Sequence, residues 1–177
     1  MGRNFAPMTI TTDTAAPSAG FVEIPVRFDF DALVPTTLKA VNTLHGAAIA
    51  DAHAAGLEPG LIELIRLRAS QLNGCAYCVD LHGEDARTAG VSAQRIDLLP
   101  VWRDAPFYTA EERAALGLVE AVVHLADTHA PASVVDTALA ALGEKKTAAV
   151  LAVTMSITAW NQIGVTSRCW PVAARES

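Results

Sequence analysis

A chain of 177 residues is long enough to bury a sizeable core and short enough to fold as one domain. Hydrophobic residues make up 51% and charged residues only 18%, with a mean hydropathy of +0.30, an apolar excess that points to surface buried between subunits. A formal charge of −6 and a pI near 5.3 argue against a nucleic-acid partner. Three cysteines, one of them outside any motif, suit a reducing compartment, the cytoplasm, better than a secreted disulfide scaffold.

Residues 1–20 read as a tail, dominated from Thr9 to Gly20 by Thr, Ala, Pro, Ser and Gly, a composition that favours disorder or docking on a neighbour. No basic stretch followed by an apolar one is present there, so no secretory signal is expected. Residues 21–177 read as a single helical domain. From Phe21 to Phe30, Val26, Phe28 and Phe30 alternate with Arg27 and Asp29, which predicts an extended strap lying on helices. Pro35 opens a helix that ends near Gly56. His45 and His53 fall on that helix, eight apart, and read as surface or core residues, since no acid or thiol is spaced to join them.

Glu58 to Leu72 forms the next helix, with Pro59 in its first turn and apolar residues at Leu61, Ile62, Ile65, Ala69 and Leu72. Asn73-Gly74 supplies its stop, because glycine accepts the left-handed conformation that closes a helix. A further helix runs from about Cys75 to Thr88. Ser92 caps a short helix that Pro100 ends, and 101–108 is a loop with Trp102 and Phe107 closing over the core. Thr109 with Glu112 is a capping box that opens a helix to about Ala126, on which Glu120 and His124 form a surface ion pair. Pro131 to Leu142 is helical, with Gly143 as its stop. The last helix, about Glu144 to Ile163, is apolar nearly all round. It approaches the length of a membrane span, but Thr147, Thr154, Ser156, Thr158, Asn161 and Gln162 interrupt it. A central helix packed on all sides, with no membrane partner, is the better account.

The chemistry gathers between residues 63 and 82. Glu63 is followed by eleven residues, then Cys75, two residues, Cys78, three residues and His82. At a helix start, unpaired N–H groups and the helix dipole favour a thiolate at Cys75 and Cys78. A spacing of three puts both sulfurs on one face, close enough for a disulfide if the first turn permits it. His82 shares their stripe, one turn beyond Cys78. With the two helices antiparallel about Gly74, Glu63 faces the neighbourhood of His82 and not the thiols, which makes a relay from carboxylate to imidazole to thiol. The alternative for these four side chains is a zinc site, although structural zinc seldom takes a carboxylate and no second Cys/His pair is present. Glu63 alone reads equally as a helix-surface acid paired with Arg66.

The spacing Glu-x11-Cys-x2-Cys-x3-His resembles the signature of the alkylhydroperoxidase D-like proteins, within the carboxymuconolactone decarboxylase superfamily. So do residues 67–78, Trp102-Arg103, residues 111–116 and Ala159-Trp160-Asn161, so that the resemblance covers roughly residues 25–165. It implies an all-α, oligomeric (trimeric or hexameric) thiol peroxidase, and it makes Cys78 the peroxide-attacking thiol and Cys75 the resolving, partner-facing one. Where the best-known members carry a relay histidine just before the second cysteine, this chain has Tyr77, which cannot take that role near neutral pH.

The expected function is therefore reduction of organic hydroperoxides or hydrogen peroxide, through Cys78, Cys75, His82 and Glu63, with an external protein or lipoyl dithiol as reductant. No metal or organic cofactor is expected. A dithiol–disulfide oxidoreductase acting on a protein or lipoyl disulfide would use the same residues. A non-catalytic redox-sensing oligomer would use the disulfide alone. Cys169 reads as a bystander thiol.

Overall fold

The computed structural model describes residues 22–173; the expected tail at 1–20 lies outside that range. Within it the protein is all-α. The helices are α1 (Phe30–Leu33), α2 (Pro35–Ala54), α3 (Pro59–Asn73), α4 (Ala76–Thr88), α5 (Ala93–Asp97), α6 (Ala110–Val123), α7 (Leu125–Thr128) and α8 (Ala132–Ser167). The predicted stops hold where the backbone demands glycine: Gly74 closes α3 at φ 68°, and Gly143 breaks α8 at φ 74°, ψ 168°. Three boundaries differ from the sequence reading, the first being the end of the last helix, at Ser167 and not Ile163. Pro100 does not end a helix but sits inside a 3-10 turn, Leu99–Val101, because its missing N–H is harmless in a first turn. The helix opened by Thr109 stops at Val123, not Ala126, and α7 follows as a separate turn.

The capping box is formed as expected, with the Glu112 N–H donating to Thr109 Oγ1 at 3.2 Å and the Thr109 N–H to Glu112 Oε2 at 2.8 Å. The strap also docks, on the end of α8. The Arg27 and Phe28 N–H groups donate to the Ser167 carbonyl, and the Arg27 guanidinium caps the carbonyls of Val165 and Thr166. A cation there satisfies orphan acceptors and complements the helix dipole. Its apolar row, Val22, Ile24, Val26 and Phe28, nevertheless faces outward.

The helix at the centre is α3, not α8. One face of α3 contributes Ile62, Ile65 and Ala69 to a core shared with Ala52 of α2, Ala115 and Val119 of α6, and Val150, Val153, Ile157 and Trp160 of α8. The opposite face sends Leu64 and Leu67 into a second cluster with Ala86, Val91, Leu99, Trp102, Tyr108 and Leu116. By length and composition α8 could cross a membrane, yet its large residues pack in the first core, while Leu151 and Met155 stay exposed. The loop after the 3-10 turn buries Trp102 and Tyr108, whereas Phe107, expected to close the core, is exposed.

Glu120 is not half of a surface pair with His124. Its carboxylate accepts hydrogen bonds from Arg68 Nη2 (2.7 Å) and Trp102 Nε1 (2.8 Å) at Oε1, and from Arg103 Nη2 (2.6 Å) at Oε2. Burial acts to raise the carboxyl pKa, but the Trp102 and Arg68 hydrogen bonds and the charges of Arg68 and Arg103 hold it below its ordinary value. This knot ties α3, the loop and α6 together. Replacing Glu120 with Gln should cost about 2 kcal/mol, because Arg68 is left without its counter-charge in a mostly buried position. His124→Ala should stay within about 0.5 kcal/mol of the parent. Urea melts of the two variants check this, and equal losses would return Glu120 to the surface-pair reading.

Candidate redox site at the α3–α4 hairpin

Local backbone chemistry builds the site. Gly74 in the left-handed conformation lets the Cys75 N–H reach back to the Ser70 carbonyl at 3.1 Å, which turns the chain at once into α4. Cys75 is the N-cap of α4, its sulfur accepting the Cys78 N–H at 3.3 Å. Cys75 and Cys78 are joined in a disulfide with Cα atoms 5.3 Å apart, and Cys169 remains free and buried. Burial pushes the Cys169 thiol up, against the Ser167 hydrogen bond that acts to lower it, in keeping with an inert bystander.

His82 is completely enclosed, at 0% exposure. Its Nδ1 lies 3.3 Å from Glu63 Oε2 and 3.7 Å from Asp85 Oδ2. The first approach is close without being well aligned: neither ring nitrogen of His82, nor Glu63 Oε2, makes a hydrogen bond among the described residues. Glu63 Oε1 meanwhile takes Arg66 Nη1 at 2.6 Å. Glu63 thus sets one carboxylate oxygen on Arg66 and the other near His82, and it is mostly buried and not a surface acid. The described hydrogen bonds include none that joins His82 to either sulfur of the disulfide.

Both sulfurs are buried, Cys75 at 2% and Cys78 at 3%. The resemblance implies a partner-facing Cys75; among the described residues that sulfur is buried and lies beside Gly164, near the end of α8. A Cβ added to Gly164 would meet Cys75 Sγ at 3.0 Å and the Trp170 ring at 3.4 Å. Trp170 is pinned by its indole N–H to Asp31 Oδ2 (3.1 Å) and lies against Tyr77 and Trp160. Burial and the nearby Asp31, Asp85 and Asp80 raise the Tyr77 phenol above its ordinary value, so it keeps its proton at neutral pH.

Three residues were missed by sequence reasoning. Asp85 follows His82 by three, a signal that spacing along a helix offered. Trp170 had none. His45 was set aside for want of an acid, yet it sits near Glu63, with Nε2 3.5 Å from Arg66 Nη2 and its ring edge toward Trp160. The neighbourhood lies on another helix, which sequence spacing does not register. His45, His53, Glu63, Arg66 and Asp85 line a cavity of about 320 Å³ with Ile49, Pro59, Ile62, Thr88 and Ala89. The cysteines are not among its walls.

Burial first, then the charges of Arg66 and His82, lower the His45 pKa to about 4 against the opposing pull of Glu63. His45 is thus neutral at pH 7 in the folded protein. The unfolded chain takes up the proton near pH 6.5, so the stability that neutral His45 contributes is present above that pH and is lost as pH falls toward about 4. In thermal melts, the stability difference between the parent and His45→Gln should therefore shrink as pH is lowered through this window. A difference independent of pH would contradict the burial of a neutral imidazole.

Comparison with known proteins agrees with this architecture. The sequence profile of the carboxymuconolactone decarboxylase family matches residues 35–121, which span α2 to most of α6 and contain the whole hairpin. The uncharacterised protein YdfG of Bacillus subtilis (strain 168) is 36% identical over 103 residues, covering 58% of this chain and 70% of that protein. A crystal structure of an Agrobacterium tumefaciens protein of unknown function, provisionally assigned as the antioxidant defence protein AhpD, superposes with a TM-score of 0.77. It is 39% identical, and the match covers 84% of this chain and all of that one.

Proposed function

Because the chain belongs to the carboxymuconolactone decarboxylase family and is similar in structure to a provisionally assigned antioxidant protein, we propose that it is a thiol peroxidase reducing organic hydroperoxides or hydrogen peroxide. The observation that carries this reading is the Cys75–Cys78 pair at the start of α4, with His82 one turn further on and Glu63 Oε2 3.3 Å from its ring. The Cys78 thiolate attacks the peroxide, breaks the O–O bond and becomes a sulfenic acid, releasing the alcohol, or water from hydrogen peroxide. Cys75 then condenses with it, forming the disulfide and releasing one molecule of water. An external protein or lipoyl dithiol restores both thiols by exchange. His82, one turn beyond Cys78, takes its proton, and Glu63, steadied by Arg66, orients the imidazole. With both sulfurs enclosed in the single chain, exchange requires a local opening that exposes them. The reducing pool this cycle needs, and the free Cys169, favour the cytoplasm.

Treating Cys75→Ser with peroxide should leave a trappable sulfenic acid on Cys78, whereas Cys78→Ser should leave none; mass spectrometry of the labelled peptide decides. A sulfenic acid found on Cys75 would reverse the roles. Glu63→Gln and His82→Gln should each slow oxidation of the reduced protein by at least about tenfold in stopped flow, with the double variant little worse than the worse single. Well-folded variants reacting at the parent rate would leave both as structural residues.

We also propose a homo-oligomer, a trimer or hexamer by resemblance, supported by exposed Leu151 and Met155 on α8, Leu44 on α2 and the outward row of the strap. Light scattering at micromolar concentration should give a mass well above 18.6 kDa, and a clean monomer would contradict it.

A further inference from the structure

The acid–histidine pair at the hairpin has a third member that the thiol chemistry does not use. Asp85 Oδ2 lies 3.7 Å and Glu63 Oε2 3.3 Å from His82 Nδ1, and one donor atom from each residue falls within 4.8 Å of the other two. In a tetrahedral shell with bonds of about 2.0–2.2 Å, neighbouring donors stand roughly 3.3–3.6 Å apart. The three side chains are thus near ligand spacing before any rearrangement. His82 is wholly buried and Glu63 Oε2 is buried with it, and neither has a hydrogen bond among the described residues. Buried polar atoms seldom stay unused without a reason.

We propose that Glu63 Oε2, His82 Nδ1 and Asp85 Oδ2 bind a divalent transition-metal cation of the zinc class. One imidazole with two carboxylates suits such an ion better than magnesium or calcium, which prefer oxygen alone. The guanidinium of Arg66, 2.6 Å from Glu63 Oε1, fixes the carboxylate so that only Oε2 is turned to the ion, the part an outer-shell residue plays. Glu63 and Asp85 both line the 320 Å³ cavity, so the open coordination positions face space that water or a small ligand can fill. Three protein ligands with an open position is the pattern of a reactive site and not of a closed structural one. The site differs from the zinc alternative raised by the sequence, because the disulfide removes Cys75 and Cys78 from the donor set. With the ion bound, Nδ1 and Oε2 can no longer exchange a proton, so occupancy and relay exclude one another. That consequence rests on the thiol-peroxidase reading; the binding itself does not.

The test uses the full chain in its disulfide form, so that no thiolate competes, and no peroxide. Calorimetric titration with zinc chloride should show one ion per chain with micromolar or tighter affinity. Asp85→Asn and Glu63→Gln should each weaken it by at least about tenfold, with helicity by circular dichroism retained. Cobalt(II) added to the parent should develop the visible bands of a low-symmetry nitrogen and oxygen site. Absence of zinc binding, retained parental affinity in both variants, or a cobalt spectrum identical to the free aqua ion would each overturn the proposal. Failure here leaves the peroxidase reading untouched, and inactivity toward peroxide leaves the metal site standing.

Discussion

The left-handed turn at Gly74 is the constraint on which the rest depends. At φ 68° it reverses the chain within one residue, so that α4 starts directly against the end of α3. That reversal makes Cys75 an N-cap and buries the cysteine pair in the first turn of α4. It also brings His82 of α4 alongside Glu63 of α3. A side chain with a Cβ would be strained there. Displacing the turn would separate acid, histidine and sulfur together, since no other connection fixes their mutual register so directly.

A second condition follows from the position of α3 between two hydrophobic clusters. A helix covered on both faces would ordinarily be apolar, yet this one carries Glu63, Arg66, Arg68 and Ser70. Each is matched inside the fold: Glu63 by Arg66, Arg68 by Glu120, and Ser70 by the Asn161 amide at 3.0 Å. Unmatched, any of these groups would carry the full penalty of a buried polar atom. The two pairs that leave the helix, Arg68 with Glu120 and Ser70 with Asn161, fix the rotation of α3 about its axis, because a turn would break both, whereas the Glu63–Arg66 pair turns with α3. The rotational setting of Glu63 is therefore a property of the whole bundle.

Much of this was legible in the sequence, and the reasons are physical. Helix ends marked by glycine or by a capping box came through because they are decided by backbone geometry within a few residues. Two pairings of the hairpin, Cys75 with Cys78 and Glu63 with His82, were legible because helical spacing and one turn determine them. What escaped was decided across the fold. An apolar character nearly all round made α8 look packed on every side, although Leu151 and Met155 are exposed, while α3 was masked by charges that are matched by one another or by Glu120. His45 looked alone because its neighbour Glu63 lies on another helix, and Glu120 looked exposed because its partners Arg68 and Trp102 come from elsewhere. Nothing near Cys75 announced that Gly164, almost ninety positions later, would lie beside its sulfur.

The chemistry proposed for the hairpin is best tested by turnover. Peroxide consumption should be followed with the fully reduced protein and a panel of dithiols, including a reduced lipoyl group and a small protein dithiol. The account predicts many peroxides consumed per chain with at least one of these reductants, each cycle passing through the Cys75–Cys78 disulfide. Consumption that stops at one peroxide per chain with every reductant, while the reduced Cys75/Cys78 pair still reduces disulfides of other molecules by exchange, would contradict it.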